Sequence, residues 1–133
     1  MFIKDKKLHY VYNFLGIRPE QVFVSKELKP GKYTLGMEFT RESKGEHGEL
    51  LGAAKLYVDD KVVASGKMKT QPAKFTLSGD GMCIGWDSGD VVTDLYKTPA
   101  RFKGGTIQAV GIDTGKESYE DLELEAKRMM MKH

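Results

Sequence analysis

The sequence is poor in cysteine, because Cys83 is the only one among its 133 residues. A disulfide framework and a cysteine-rich zinc site each need several thiols, so both are excluded within this chain. The three histidines, His9, His47 and His133, lie far apart and show no paired ligand spacing. The sequence therefore gives no indication of a thiol- or histidine-based metal centre.

Long apolar runs and blocks of one charge are also missing. No segment approaches the ~20 apolar residues of a membrane-spanning helix. The opening residues, MFIKDKK, lack the apolar stretch and cleavage site of a signal peptide. The net charge is +2, and its 21 basic and 19 acidic residues are spread along the chain. We therefore expect a chain that stays where it is made and binds neither nucleic acid nor a membrane.

Alternating apolar residues are the main signal that is present. They recur at every second position between Gly, Pro and Asp turn residues, which predicts β-strands. The predicted strands cover residues 8–15, 21–25, 33–40, 54–58, 61–66, 73–77, 82–86, 99–103 and 106–113. Short strands in this number and at this spacing are typical of a two-sheet antiparallel β-sandwich. With 40% hydrophobic residues, the chain fits one domain of this kind.

Several of these segments have more specific patterns. Residues 8–15 carry apolar side chains on both faces, which predicts an inner strand, whereas residues 33–40 are apolar at odd positions only, as in a half-buried strand. Asp59 and Asp60 predict the two-residue turn of a hairpin, because Asp tolerates positive φ. The polar stretch 42–49 predicts a mobile loop.

The apolar period changes after Gly115. Tyr119, Leu122, Ala126 and Met129 follow at spacings of three and four, which predicts a C-terminal α-helix over residues 119–132. We therefore expect a sandwich domain over residues 1–115 and a helical extension over residues 116–133. The alternation predicts a sandwich core formed by Tyr10, Tyr12, Phe14, Leu35, Met37, Phe39, Leu56, Val58, Phe75, Leu77, Ile84 and Ile107.

The residues that catalysis needs do not occur together. The sequence contains neither a Gly-x-Ser-x-Gly nucleophile elbow nor a phosphate-binding loop. Cys83 falls inside a predicted strand, where a buried and inert thiol is the favoured interpretation. With no nucleophile, base and orienting group in combination, we expect no catalytic residues in this chain.

The densest polar group follows Trp86. Asp87, Asp90 and Asp94, together with Ser88, are oxygen ligands that could hold Ca²⁺, although the later Glu of an EF-hand loop is missing. The interpretation we favour is that Asp87 and Asp90 accept hydrogen bonds from turn amides. Calcium is therefore the single cofactor that the residues suggest.

Aromatic residues offer a second kind of ligand site. Trp86, with Tyr57, Tyr96 or His47, could stack against a sugar ring, but core packing of the Trp is the favoured interpretation. The run Met129 to Met131 could dock a partner, but methionines on one helix face more often fill a core. A lectin-like module that binds carbohydrate or calcium is accordingly the alternative function.

An ordered series of short segments matches a known pattern. It comprises YNFLG (12–16), LKPGKYTL (28–35) leading into Glu38 and Phe39, LYVD (56–59), IGWDSG (84–89), Tyr96 and FKGGTI (102–107). Together these resemble the C-terminal region of bacterial arylsulfatase-like enzymes, over residues 8–113. The resemblance implies a jelly-roll or concanavalin-like sandwich that is not itself catalytic. It also implies a partner, the alkaline-phosphatase-like catalytic domain, either in the same chain or as a separate one.

The catalytic residues of that family cannot be placed on this sequence. The family's formylglycine motif, Cys/Ser-x-Pro/Ala-x-Arg, lies in the catalytic domain, and the residues after Cys83 (IGWD) do not match it. Trp86 departs from the family pattern, in which a polar residue is expected, and the loop 43–52 is less rich in Gly. The resemblance thus implies a parent protein that hydrolyses sulfate esters, in a family whose members are often periplasmic or secreted.

Overall fold

The computed structural model describes residues 1–72 and 81–113, and within them all regular secondary structure is β-strand. The predicted strand at 73–77, with Phe75 and Leu77, and the predicted C-terminal helix lie outside the described residues. The strands are β1 (Phe2–Lys4), β2 (Lys7–Tyr12), β3 (Gln21–Glu27), β4 (Leu35–Lys44), β5 (Leu50–Val58), β6 (Lys61–Thr70), β7 (Trp86–Asp87) and β8 (Ala100–Arg101).

The strands form two three-stranded antiparallel sheets and one short pair. The first sheet has the order β1-β2-β3 and the second the order β4-β5-β6, while β7 pairs with β8. The chain divides into two compact units, residues 1–100 and residues 101–133. In the second unit the described residues, 101–113, are all exposed. No helix long and apolar enough to cross a membrane occurs in the described part of the chain.

The first sheet is built around β2. Asp5 and Lys6 connect β1 to β2 with φ of 51° and 61°, the pair of positive values that a tight two-residue hairpin turn requires. Leu8 and Val11 are both buried although they point to opposite faces, so the inner position of the predicted strand is confirmed. The strand ends at Tyr12 and not at residue 15, because the chain turns there and leaves Leu15 45% exposed with a φ of 50°. At the register shift between Lys7 and His9, the Leu8 N–H donates to the buried Ser25 hydroxyl over 2.9 Å.

The second sheet contains the predicted hairpin. Val58 pairs with Lys61 across a turn in which Asp59 has a φ of 53°, which confirms the two-residue Asp turn. Strand β4 continues to Lys44, so the predicted loop over 42–49 is wrong in its extent. The connection is shortened to 45–49 because the backbone N–H of Gly45 bonds the Glu49 carbonyl and the His47 N–H bonds the Glu49 side chain.

The core lies between the two sheets. Leu8 from β2 and Leu56 and Val58 from β5 form its buried centre. The partly buried apolar side chains that pack against this centre are Tyr10, Phe23, Leu28, Leu35, Met37, Val63 and Ala64. The predicted core positions Leu56 and Val58 are therefore confirmed, and Tyr10, Leu35 and Met37 surround them. Two antiparallel sheets sharing one core give a sandwich-like, all-β architecture.

Two predicted core residues are wrong, and three others are only partly buried and lie outside the core cluster, namely Tyr12, Phe14 and Phe39. Ile84 is 52% exposed and Ile107 is 42% exposed. The predicted strand over 82–86 shrinks to Trp86–Asp87, because Gly81 and Gly85 have φ of 69° and 78° and interrupt the extended backbone. Residues 106–113 form no strand. Alternation of apolar residues specifies a buried face only where a neighbouring strand pairs with the segment.

Candidate functional site

The loop over residues 87–96, which we call the acidic loop, carries most of the predicted site residues. Side chains of β1 and of the connection between β2 and β3 bind this loop. Lys4 Nζ donates to the Leu95 carbonyl over 2.6 Å, and Asn13 Nδ2 donates to the Val92 carbonyl over 3.0 Å. Arg18 forms an ion pair of 3.3 Å with Asp94. The position of the acidic loop is thus set by contacts that are distant in sequence.

Aromatic rings fill the space between this loop and β1. The Phe2 ring stacks on the buried His9 ring, with centroids 5.0 Å apart and planes 8° from parallel. Tyr96 meets the same Phe2 ring edge-on, again at 5.0 Å between centroids. These edge and stacked geometries favour a fixed position for the Tyr96 ring.

Asp87 and Tyr96 are brought together by the fold. The Tyr96 hydroxyl donates to Asp87 Oδ2 over 2.6 Å, and the Gly89 N–H donates to Asp87 Oδ1 over 3.3 Å. Burial, followed by the hydrogen bond and the negative charge of Asp87, raises the pKa of Tyr96 to about 12. Asp87 therefore accepts a hydrogen bond from a turn amide, which is the interpretation favoured from the sequence. It also accepts a hydrogen bond from the neutral phenol of Tyr96.

The other predicted calcium ligands have different surroundings. The Asp94 side chain is 83% exposed and faces Arg18, and Ser88 and Asp90 are also exposed. Within residues 1–72 and 81–113, no three His, Cys, Asp or Glu side chains are arranged as a metal site. A Ca²⁺ ion at Asp87 would compete with the Tyr96 hydroxyl for the same carboxylate. The calcium site stays a prediction.

The predicted aromatic ligand residues lie in two places. Trp86 is 50% exposed, so the favoured interpretation that it packs in the core is wrong. Tyr57 belongs to β5, where its hydroxyl lies 3.5 Å from Glu38 Oε2 on β4. Among the ring contacts of the described residues, none joins Trp86 to Tyr57 or Tyr96. Trp86 is thus an exposed ring beside the Asp87–Tyr96 pair.

No local sequence pattern marks the side chains that hold the acidic loop in place. Asn13 and Val92 are separated by 79 positions and Lys4 and Leu95 by 91. Strand β1, which supplies Lys4 and Phe2, is too short to show a period. Only the closeness of Asn13 to the turn at Leu15 and Gly16 could have marked it, as a turn-forming residue.

Tyr96 is expected to ionise later than an ordinary tyrosine in an absorbance titration at alkaline pH. The late transition should be absent from Tyr96→Phe, which separates it from Tyr10, whose pKa burial also raises. Asp87→Asn removes the negative charge and should lower the pKa of Tyr96 towards its ordinary value of 10.0. An unchanged Tyr96 transition in Asp87→Asn would contradict the pairing.

The same shift sets the direction of a pH effect on stability. The pKa of Tyr96 is higher in the folded than in the unfolded chain, so its contribution to folding is complete below pH 10 and is lost as the pH rises towards 12. Urea unfolding of the wild type and of Tyr96→Phe at several alkaline pH values measures this loss.

Comparison of the chain with models of protein families, with curated proteins and with solved structures finds no match.

Proposed function

We propose that this chain is the non-catalytic, C-terminal accessory domain of an arylsulfatase-like protein, in which a separate catalytic domain hydrolyses sulfate esters. The basis of the proposal is the ordered series of segments between residues 8 and 113 that resembles this region of the family. Two polar residues within those segments, Asp59 and Asp87, supply the physical support.

Contacts between matching segments are the observation that carries the proposal. The Asp59 N–H donates to the Thr34 carbonyl over 2.6 Å, and the Thr34 N–H donates to Asp59 Oδ1 over 2.9 Å. These two bonds join the segment at 28–35 to the segment at 56–59. The Asp87–Tyr96 bond joins two further pieces of the pattern in the same way. These bonds give the polar residues of the matching segments a structural part in the fold, which supports a non-catalytic domain.

The finer fold belongs to this proposal. We infer a jelly-roll or concanavalin-like sandwich, as in the family that the sequence resembles. The two three-stranded sheets and their shared core support the sandwich part of this inference.

A surface beside the acidic loop offers a place for the catalytic domain, either in the same chain or as a separate one. Met82, Ile84 and Trp86 alternate along the segment and are all at least half exposed. Exposed apolar side chains gathered in one short segment are typical of an interaction surface. A partner that covers these side chains would remove them from water.

Association with the catalytic domain tests the proposal. The coding sequence next to this chain is expected to encode an alkaline-phosphatase-like domain, and that domain should co-elute with the 133-residue chain in size-exclusion chromatography. Ile84→Lys should weaken this association by at least tenfold, since it places an ammonium in an apolar contact. Val62→Lys is the matched control, because Val62 is similarly exposed but lies on β6.

An assay of aryl sulfate hydrolysis tests whether the chain is non-catalytic, as proposed. The chain alone should not hydrolyse an aryl sulfate, while the catalytic domain should do so with or without it. Turnover by the purified chain that Cys83→Ala abolishes would overturn the proposal. A neighbouring sequence without a sulfatase domain would exclude the arrangement in which both domains belong to one chain.

A lectin-like module is the second candidate, and the half exposure of Trp86 next to Asp87 is the observation that favours it. The same purified chain distinguishes the two functions. A change in Trp86 fluorescence with neutral or sulfated oligosaccharides, or a rise in the melting temperature with millimolar calcium, would favour this module.

A further inference from the structure

A cleft lies beside the turn that follows β2, and none of the site residues that the sequence predicts lines it. Its volume is about 250 Å³. The residues that line it are Tyr12, Phe14, Ile17, Pro19, Gln21 and Lys69, and we call it the aromatic cleft. Two aromatic rings, a proline ring and an aliphatic side chain give it mostly apolar walls.

The turn beside the cleft has a defined conformation. Leu15 and Gly16 have φ of 50° and 79°, which reverses the chain between Phe14 and Ile17. The Gly16 N–H donates to Asn13 Oδ1 over 2.8 Å, and the Ile17 N–H donates to the Phe14 carbonyl over 2.9 Å. These bonds hold Phe14 and Ile17 on one rim before any ligand arrives.

The opposite wall is fixed to the second sheet. The Gln21 side chain donates to the Lys69 carbonyl over 2.7 Å and accepts from the Lys69 N–H over 2.6 Å, as a neighbouring strand would. The Tyr12 hydroxyl accepts the Gln71 N–H over 2.9 Å. The cleft is therefore preorganised, which lowers the entropic cost of binding.

The Lys69 side chain is a cation at this cleft that has no ion-pair partner among the described residues. Lys69 Nζ lies 4.7 Å from the centre of the Phe14 ring, and no ion pair of the described chain includes it. Arg18, the other nearby cation, is paired with both Glu20 and Asp94. The pKa of Glu49 is lowered mainly by a hydrogen bond from its own backbone N–H, and the Lys69 charge is the last of the causes.

We propose that the aromatic cleft binds a single six-membered ring that carries one monovalent oxyanion. The ring would lie against the apolar walls, and the oxyanion would meet the Lys69 ammonium, which binds anions as a point charge. The cleft is smaller than the ~300–1,000 Å³ of sites for drug-sized ligands, which favours one ring over a longer chain. The ring is either an aromatic or a sugar. This site does not depend on the proposed function, because it is argued only from the lining of the cleft and from the position of Lys69.

Titration of the isotopically labelled full chain by NMR tests the site, with the backbone amides of Phe14, Ile17 and Lys69 as reporters. Phenyl sulfate and glucose 6-sulfate are the two ring anions, and the one that binds more tightly identifies the ring as aromatic or sugar. We expect saturation with a Kd on the order of 1 mM. Inorganic sulfate and methyl glucoside, which each lack one half of the ligand, should bind about fivefold more weakly or not at all.

Substitution of Lys69 distinguishes the contribution of its charge to binding from that of its aliphatic stem. Lys69→Met keeps the aliphatic stem and should weaken the better ring anion about fivefold, while Lys69→Arg should retain binding. Lys55→Met is the matched control, because Lys55 is an exposed lysine on β5 outside the cleft. The proposal is overturned by the absence of saturable shifts with both ring anions, by inorganic sulfate binding as tightly as they do, or by unchanged affinity in Lys69→Met.

Discussion

Leu56→Ala is expected to lower the free energy of unfolding by about 2–5 kcal/mol. Leu56 is 1% exposed and stands at the centre of the core, between Leu8 of the first sheet and the rest of the second. Truncation removes buried apolar surface and leaves a cavity that two hydrogen-bonded sheets cannot close fully. Urea unfolding followed by circular dichroism measures the loss.

Lys55→Ala is the control for this substitution. Lys55 is adjacent in the same strand but exposed, so its truncation should change stability by less than about 0.5 kcal/mol. Equal effects at positions 55 and 56 would show that the face assignment of β5 is wrong.

A double substitution tests whether the two sheets share one core. Leu8→Ala should also be strongly destabilising, and the pair Leu8→Ala with Leu56→Ala should cost less than the sum, because both enlarge one cavity. Strict additivity would place the two side chains in separate clusters.

The sequence predicted the fold best where strands pair with near neighbours. The hairpin of β5 and β6 has both of its signals within a few residues, an alternating apolar pattern and the Asp59 turn, and both are confirmed. The inner position of β2 was also visible, because its residues are apolar on both faces. In these places the local pattern and the tertiary structure require the same residues.

Prediction failed where a segment had alternation but no partner strand. Ile84 and Ile107 have apolar neighbours at the right spacing, yet both are exposed and neither belongs to a strand of the described residues. Strand β1 was not predicted, although it pairs with β2. Its three residues and the Asp5-Lys6 turn are too short to show an alternating apolar pattern.

The candidate site was harder to predict than the fold. The residues of the acidic loop could be named, but their partners come from Lys4, Asn13 and Arg18, many tens of positions away. The aromatic cleft depends in the same way on Lys69, which β6 brings next to the turn after β2. Local spacing does not report such contacts, so the sequence could show which residue types are present but not which of them meet.

Gly52→Ala is expected to destabilise the protein by about 1–3 kcal/mol or more. Gly52 is a buried residue of β5 opposite Arg41, close to the register shift in β4. A Cβ there would collide with the backbone carbonyl of Thr40 and would lie 2.9 Å from two carbon atoms of the Phe39 ring. The ring can turn away, but the carbonyl belongs to the sheet and cannot move without loss of pairing between β4 and β5.

Gly36→Ala is the matched control, with the opposite expected sign. A Cβ on Gly36, on β4, meets no atom within 4 Å, so the substitution should stabilise the protein by up to ~1 kcal/mol by restricting the unfolded chain. Urea unfolding measures the effect of both substitutions.

A second background distinguishes the collision with the Thr40 carbonyl from the collision with the Phe39 ring. If the Thr40 carbonyl is the main obstacle, Gly52→Ala should stay destabilising in a Phe39→Leu background, where the ring is gone. Recovery of full stability in that background would instead assign the close approach of β4 and β5 to the Phe39 ring alone.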